Sequence, residues 1–126
     1  MAGRVVHFEI PFDDGERARG FYREAFGWNL MEMPELQYTM AATGPVDDQS
    51  MPAEPGFING GMFERGDSGI NRPVLTIDVD DVDAAMKTIE QLGGKQFGEK
   101  VPVGDMGFAA YFEDTEGNLI GLWQSA

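Results

Sequence analysis

The single histidine of the chain lies in a short alternating segment near its start. Apolar and polar side chains alternate over residues 5–10, which is typical of a half-buried β-strand. His7 and Glu9 therefore share one face of this strand, and the apolar side chains between them share the other. An imidazole on this face can bind a divalent metal, or it can line a pocket and hydrogen-bond a ligand or Glu9. We expect the pocket-lining histidine, and keep the metal ligand as the alternative.

Glu64 is a second candidate for chemistry, at the end of a predicted strand over residues 57–65. As a metal ligand or general base it would need burial or a charged partner to tune its pKa. As a solvated charge beside Arg65 it would need neither. We expect the solvated charge, and keep the metal ligand or general base as the alternative.

Aromatic side chains on other predicted strands offer contacts to an apolar ligand. Gly121 shares a strand face with Trp123, so its missing side chain predicts free space beside the indole. An apolar cleft that stacks flat molecules could be completed by Tyr38, Phe108, Tyr111 and Trp28. Core packing is the alternative for each of these rings.

Composition excludes several classes of protein. With 126 residues and 42% hydrophobic content, the chain suits one globular domain. The absence of cysteine excludes disulfides, thiolate metal sites and a cysteine nucleophile. A net charge of −13 disfavours nucleic acid and anionic membranes as partners. No apolar run approaches the roughly 18 residues that span a bilayer, and no signal-peptide core opens the chain, so we expect a cytoplasmic protein.

An amphipathic helix is predicted directly after the first strand. Asp13 and Glu16 have capping-box spacing, and Gly27 stands where a left-handed cap would end the helix. The aromatic positions with helical spacing, which we predict to be core, are Phe21, Tyr22 and Phe26.

A polar loop with three prolines is predicted over residues 43–56, between the third and fourth strands. It is either a binding lid or a tolerated surface excursion. Gly60-Gly61, just beyond it, indicates a bulge or a close backbone approach.

The second half of the chain repeats the first. Each half reads as β-α-β-β-β, over about residues 4–65 and 72–125, and Val5–Ile10 superposes on Val74–Val79. The fold class that follows is α+β, with two tandem modules whose curled mixed sheets surround a concave cleft and whose helices lie outside. The superposition makes His7 equivalent to Thr76, so both would face the cleft.

Four segments in order resemble the vicinal oxygen chelate superfamily, which contains glyoxalase I, bleomycin-resistance proteins and extradiol dioxygenases. The segments are Val6-His7-Phe8-Glu9-Ile10, residues 18–28 ending in Phe26-Gly27-Trp28, residues 77–85 and residues 112–120. The resemblance covers essentially the whole chain and implies the glyoxalase/bleomycin-resistance/dioxygenase fold. It also implies a homodimer.

The resemblance further implies metal ligands on the first and last strands of each module. His7 stands at the first of these positions and Thr76 at its counterpart in the second module. Gly121 stands at the last-strand position of the second module, and aligning Asn59 with Asn118 puts Met62 at the fourth. Since glycine offers no donor and threonine is a weak one, the site is reduced to His7 and Glu64, two residues beyond Met62, with Glu9 as a possible third ligand.

Our leading hypothesis is a protein that binds a small, partly apolar or aromatic molecule without the family's usual metal site. The residues expected to contact that ligand are His7, Glu9, Tyr38, Met62, Thr76, Phe108, Tyr111 and Trp123. One alternative is a divalent-metal-dependent lyase, isomerase or dioxygenase that uses His7 and Glu64. Another is a ligand-free dimeric scaffold or regulator. Whether the protein is an enzyme stays open in the sequence.

Overall fold

The computed structural model of the chain describes residues 3–66 and 68–126. The elements follow the order β-α-β-β-β twice, as predicted. Their bounds in the first half are β1 Val5–Phe12, α1 Gly15–Phe26, β2 Asn29–Met33, β3 Tyr38–Ala42 and β4 Asn59–Glu64, with a short 3-10 helix over Pro34–Leu36. In the second half they are β5 Val74–Asp78, α2 Val82–Gln91, β6 Lys95–Val103, β7 Gly107–Glu113 and β8 Leu119–Ser125.

The chain divides into two compact units. One is His7–Pro73, and the other joins the residues up to Val6 with Val74–Ala126. The sheet of the first unit has the order β2-β3-β4-β1, and that of the second has the order β5-β8-β7-β6. In each unit the first and last strands of the repeat pair in parallel, β1 with β4 and β5 with β8. The other neighbouring strands within each unit pair antiparallel. The predicted α+β class is therefore confirmed.

Helix α1 begins one residue later than the capping-box prediction. Asp14, in extended conformation, accepts a hydrogen bond from the Arg17 amide and is the N-cap. Asp13 instead pairs with Arg65 at 3.0 Å. The predicted end is confirmed, because Gly27 adopts the left-handed conformation with φ of 74°.

The core of the His7–Pro73 unit lies between α1 and one face of its sheet. Leu30, Ala41 and Met62 are buried there, and partly buried Phe8 and Tyr22 pack against them. The prediction that all three helix aromatics are core is wrong for two of them. Phe21 and Phe26 are 60% and 64% exposed, because they lie beside the apolar stripe of α1 that meets the sheet.

In the second unit, α2 covers its own sheet in the same way. Asp81 caps the helix by accepting from the Ala84 amide. Val82 and Met86 then pack with Ala110, Phe112 and Leu122 of the sheet. No helix in residues 3–66 and 68–126 is long and apolar enough to cross a membrane.

The loop over residues 43–58 contains one isolated bridge, between Val46 and Pro52. The Asp47 carboxylate organises it by accepting from the amides of Gln49 and Met51. This internal bonding accounts for the shape of the loop.

Candidate functional site

His7, Tyr38 and Glu9 form a hydrogen-bonded chain on the face of the sheet opposite α1. The Nε2 atom of His7 lies 2.8 Å from the Tyr38 hydroxyl oxygen, and that hydroxyl donates to Glu9 Oε2 at 2.7 Å. Glu9 is only 8% exposed. Buried carboxylates require hydrogen-bond donors, and Tyr38 supplies one to Glu9.

The direction of these bonds assigns the histidine tautomer. The Tyr38 hydroxyl has a single proton, which it donates to the Glu9 carboxylate, so its oxygen must accept from His7 Nε2–H. In neutral His7 the proton is then on Nε2, an inference from its partners, and Nδ1 carries a lone pair. Nδ1 has no hydrogen-bond partner among the described residues and is not among their buried unsatisfied atoms. It is therefore not fully buried.

Burial lowers the pKa of His7 from its ordinary value of 6.5, and the nearby Glu9 carboxylate opposes this shift. Burial is the larger effect, so the neutral imidazole is favoured at neutral pH. The neutral form is the one that presents the Nδ1 lone pair.

Two consecutive glycines in β4 make room for rings on opposite faces of the sheet. A side chain at Gly60 would overlap Phe8 on the α1 side, and one at Gly61 would overlap the ring of Tyr38 on the other side. Tyr38 thus crosses over the backbone of Gly61 to reach His7 and Glu9. The predicted close backbone approach is confirmed.

Asn59 is the residue of the site that sequence reasoning missed. The parallel register pairs His7 with Asn59, just as it pairs Thr76 with Gly121 in the second unit. Asn59, rather than Met62, is thus the counterpart of Gly121. The alignment of Asn59 with Asn118 is off by three residues, and an odd shift moves a side chain to the other face.

Met62 and Glu64 lie on the face of β4 that meets α1. Their register partners are Ile10 and Phe12, not His7. Met62 is fully buried in the core, so the expectation that it contacts a ligand beside His7 is wrong. Glu64 is exposed on that same face, and the pairing of His7 with Glu64 as metal ligands is wrong for the same reason.

The equivalent face of the second unit carries Thr76, Gly121, Tyr111 and Trp123. Register pairs Gly121 with both Thr76 and Tyr111. An added Cβ at Gly121 would lie 2.9 Å from Thr76 Oγ1 and 3.4 Å from the Tyr111 ring. The space predicted beside Trp123 is therefore filled by these two side chains. Trp123 itself is partly buried and donates through Nε1 to Ser125 Oγ at 3.1 Å.

Phe108 does not share a face with Tyr111. Its register partner is Gln124, whose side chain accepts from the Val82 amide at the start of α2. Lys100 lies over the Phe108 ring at 4.9 Å. Phe108 is thus on the helix side of its sheet, and the prediction that it joins Tyr111 in a ligand cleft is wrong.

The residues present fit the family's metal pattern poorly. By register, the four positions are His7, Asn59, Thr76 and Gly121. They offer one imidazole, one amide and one hydroxyl group, and the glycine offers no ligand atom. Divalent metals of this kind prefer imidazole and carboxylate ligands. Within the described ranges, no group of three or more His, Cys, Asp and Glu side chains is placed to hold an ion.

Comparison with known proteins agrees with this architecture. A family model described as bleomycin resistance protein-like, N-terminal, matches residues 4–44. A glyoxylase-like domain-containing protein of Didymella fabae is 31% identical over 125 residues, covering 94% of this chain and 91% of the relative. The putative glyoxylase CFP32 of Mycobacterium bovis is 29% identical over 93% of this chain, which spans only 44% of that relative's length.

Solved structures show the same fold at lower identity. Methylmalonyl-CoA epimerase in complex with methylmalonyl-CoA and NH4+ matches with a TM-score of 0.66 and 20% identity, over 100% of this chain and 96% of that one. A hypothetical protein from Bacillus halodurans matches with a TM-score of 0.66 and 13% identity, over 98% and 95%. Together with the repeated β-α-β-β-β order, these relatives establish that the chain belongs to the vicinal oxygen chelate superfamily as a glyoxalase-like protein.

Proposed function

We propose that this protein binds a small, partly apolar or aromatic molecule on the sheet face that carries His7, without the four-ligand metal site of its family. One observation carries the proposal: the Nε2 atom of His7 is hydrogen-bonded to Tyr38, which is itself bonded to Glu9. An Nε2 atom that donates a hydrogen bond has no lone pair for a metal, so only Nδ1 of His7 could bind one. The register partner of His7 is Asn59, whose amide oxygen already accepts from the Thr43 amide and adds no imidazole or carboxylate ligand beside it.

Methionines on the same sheet face support an apolar ligand. Met31 and Met40 are register partners in β2 and β3, and Met33 is the partner of Tyr38. Met31 is 57% exposed and Met40 37% exposed. Flexible thioethers adapt to the shape of apolar ligands and contact aromatic rings favourably. A flat molecule anchored at His7 would lie over Tyr38 and these side chains.

Metal content tests the first part of the proposal. Protein purified without chelator is expected to hold far less than about one ion per chain, and Mn²⁺, Fe²⁺, Ni²⁺ and Zn²⁺ are expected to leave its melting temperature unchanged. About one ion per chain in the wild type, lost in His7→Ala, would overturn it. That result would favour the metal-dependent lyase, isomerase or dioxygenase instead.

Ligand binding is tested by a thermal-shift screen of neutral, cationic and anionic small molecules. Aromatic hits are expected, and their stabilisation should fall in Met40→Gln, which replaces an exposed thioether by a polar group of similar length. The matched control is Met106→Gln, which changes an exposed methionine in the other unit. A flat response across the screen would contradict the proposal and favour the ligand-free scaffold.

A homodimer is the assembly that we propose, as the family resemblance implies. Exposed Phe21 and Phe26 on α1 support it, since monomers rarely leave adjacent large aromatic rings in water. Light scattering after size-exclusion chromatography distinguishes the dimer from the monomer.

A further inference from the structure

We infer that the site selects a neutral ligand bearing a hydrogen-bond donor and an acceptor side by side, as on the edge of a lactam, a pyridone or an imide. This inference rests on the proposed ligand-binding function and names the polar group that the ligand must carry. His7 and Asn59 are the two residues that would recognise it.

The acceptor of the protein is Nδ1 of His7. The bond from Nε2 to Tyr38 leaves the lone pair on Nδ1, which is not fully buried. A ligand N–H or O–H group can donate to it. A ligand carboxylate cannot, because it has no proton to donate.

The donor of the protein is the side-chain amide of Asn59. Asn59 Oδ1 accepts from the Thr43 amide at 2.9 Å. This bond fixes the orientation of the group, since a flipped amide would set two donors against each other. Asn59 Nδ2 is then the only buried side-chain N or O atom in residues 3–66 and 68–126 that has no partner. Nδ2 has almost no accessible surface, so a ligand carbonyl oxygen would satisfy it after a small movement of the side chains that cover it.

The two groups stand on directly paired positions. His7 and Asn59 are register partners in neighbouring parallel strands, about 4.8 Å apart in backbone spacing. Their side chains leave the same face of the sheet. One planar ligand edge with adjacent N–H and C=O groups therefore matches an acceptor and a donor that are held by different strands.

Charge argues against an anionic ligand. The buried Glu9 carboxylate lies next to His7 through Tyr38, and the chain carries a net charge of −13. A negative ligand would approach like charges in a partly desolvated site. A neutral edge avoids that repulsion.

The test uses three small probes followed through the imidazole resonances of the single histidine. 2-Pyridone offers both the donor and the acceptor, 1-methyl-2-pyridone only the acceptor, and pyrrole only the donor. We expect millimolar 2-pyridone to shift the His7 resonances and the other two to bind about tenfold more weakly. In Asn59→Leu, 2-pyridone should lose this advantage at His7. In His7→Phe, which has no imidazole to report binding, the same loss should appear as equal thermal stabilisation by 2-pyridone and 1-methyl-2-pyridone.

The possible results separate the inference from the proposed ligand-binding function. Equal binding of 2-pyridone and 1-methyl-2-pyridone at His7 would overturn the inference while leaving the proposed ligand-binding function intact. No perturbation of His7 by any probe, together with a flat thermal-shift screen, would overturn both. The comparison of probes on the wild type needs no substitution, so it holds even if Asn59→Leu does not fold.

Discussion

Tyr38 reaches His7 across 31 positions of sequence, with its hydroxyl oxygen 2.8 Å from His7 Nε2. The contact is possible because Gly61, in the strand between them, leaves room for the phenol ring. The same hydroxyl donates to Glu9. The site is therefore organised by a tyrosine that ties a histidine to a carboxylate.

Gly61→Ala tests whether the Tyr38 ring needs the space left by the missing side chain of Gly61. The added Cβ would overlap that ring, so the ring must shift and its hydrogen bonds must weaken. We expect a loss of about 1–3 kcal/mol in the free energy of unfolding, measured by urea denaturation. The matched control is Gly20→Ala, where nothing lies within 4 Å, and a gain of about 0.5–1 kcal/mol is expected in the helix. Equal effects of the two substitutions on the free energy of unfolding would argue against a Tyr38 ring packed over Gly61.

Asp14→Ala tests which residue caps α1. Loss of the bond to the Arg17 amide is expected to lower the free energy of unfolding by about 1 kcal/mol. Asp13→Ala removes only an exposed ion pair with Arg65, for which about 0–1 kcal/mol is typical. A larger loss of unfolding free energy in Asp13→Ala than in Asp14→Ala would instead support Asp13 as the cap, as the capping-box spacing predicts.

The pKa of His7 makes stability depend on pH. Because burial lowers the pKa of His7 in the folded state, the unfolded chain binds a proton at a higher pH than the folded one. The stabilising contribution is fully present above the unfolded value of 6.5 and is lost as the pH falls through the folded value. We therefore expect the wild type to lose more stability than His7→Phe on acidification below neutral pH, as followed by urea denaturation. Parallel pH profiles for the two proteins would contradict this sign.

Exposed aromatic residues on α1 make the proposed dimer testable. Phe21→Ser combined with Phe26→Ser is expected to convert the dimer to a monomer in light scattering, because the apolar area that drives association is lost. Leu92→Ser is the control, since Leu92 is at least as exposed and belongs to the other unit. A wild type that is monomeric at every concentration would refute the dimer itself.

Strand order and helices follow from sequence because alternation and helical spacing are clear in both halves. The faces of β4 and β7 do not. Gly60 and Gly61 carry no side chains to show which face of β4 is apolar. No signal in the sequence therefore opposed the alignment that placed Met62, instead of Asn59, beside His7. β7 has aromatic residues on both faces, and alternation cannot assign Phe108 and Tyr111 to the helix side or the other.

The unpartnered amide of Asn59 is likewise invisible in the sequence. Its orientation depends on the Thr43 amide, 16 positions away, and its importance depends on the register with His7. The signal that could have found it is the equivalence of His7 and Thr76. If the first and last strands of each module pair in parallel, the residue beside His7 is equivalent to the residue beside Thr76. Gly121 stands beside Thr76, so its equivalent beside His7 is Asn59.

The central claim is that Nε2 of His7 is a hydrogen-bond donor to Tyr38, and ¹⁵N nuclear magnetic resonance of the single histidine tests it most directly. At neutral pH the spectrum should show a protonated Nε2 whose hydrogen exchanges slowly with water, an unprotonated Nδ1, and no change on addition of Zn²⁺. In Tyr38→Phe the slow exchange should be lost. A proton on Nδ1 would contradict the account, because Nε2 would then accept from Tyr38 instead of donating to it. Histidine ¹⁵N resonances that move on addition of Zn²⁺ would show a metal ligand and contradict it as well.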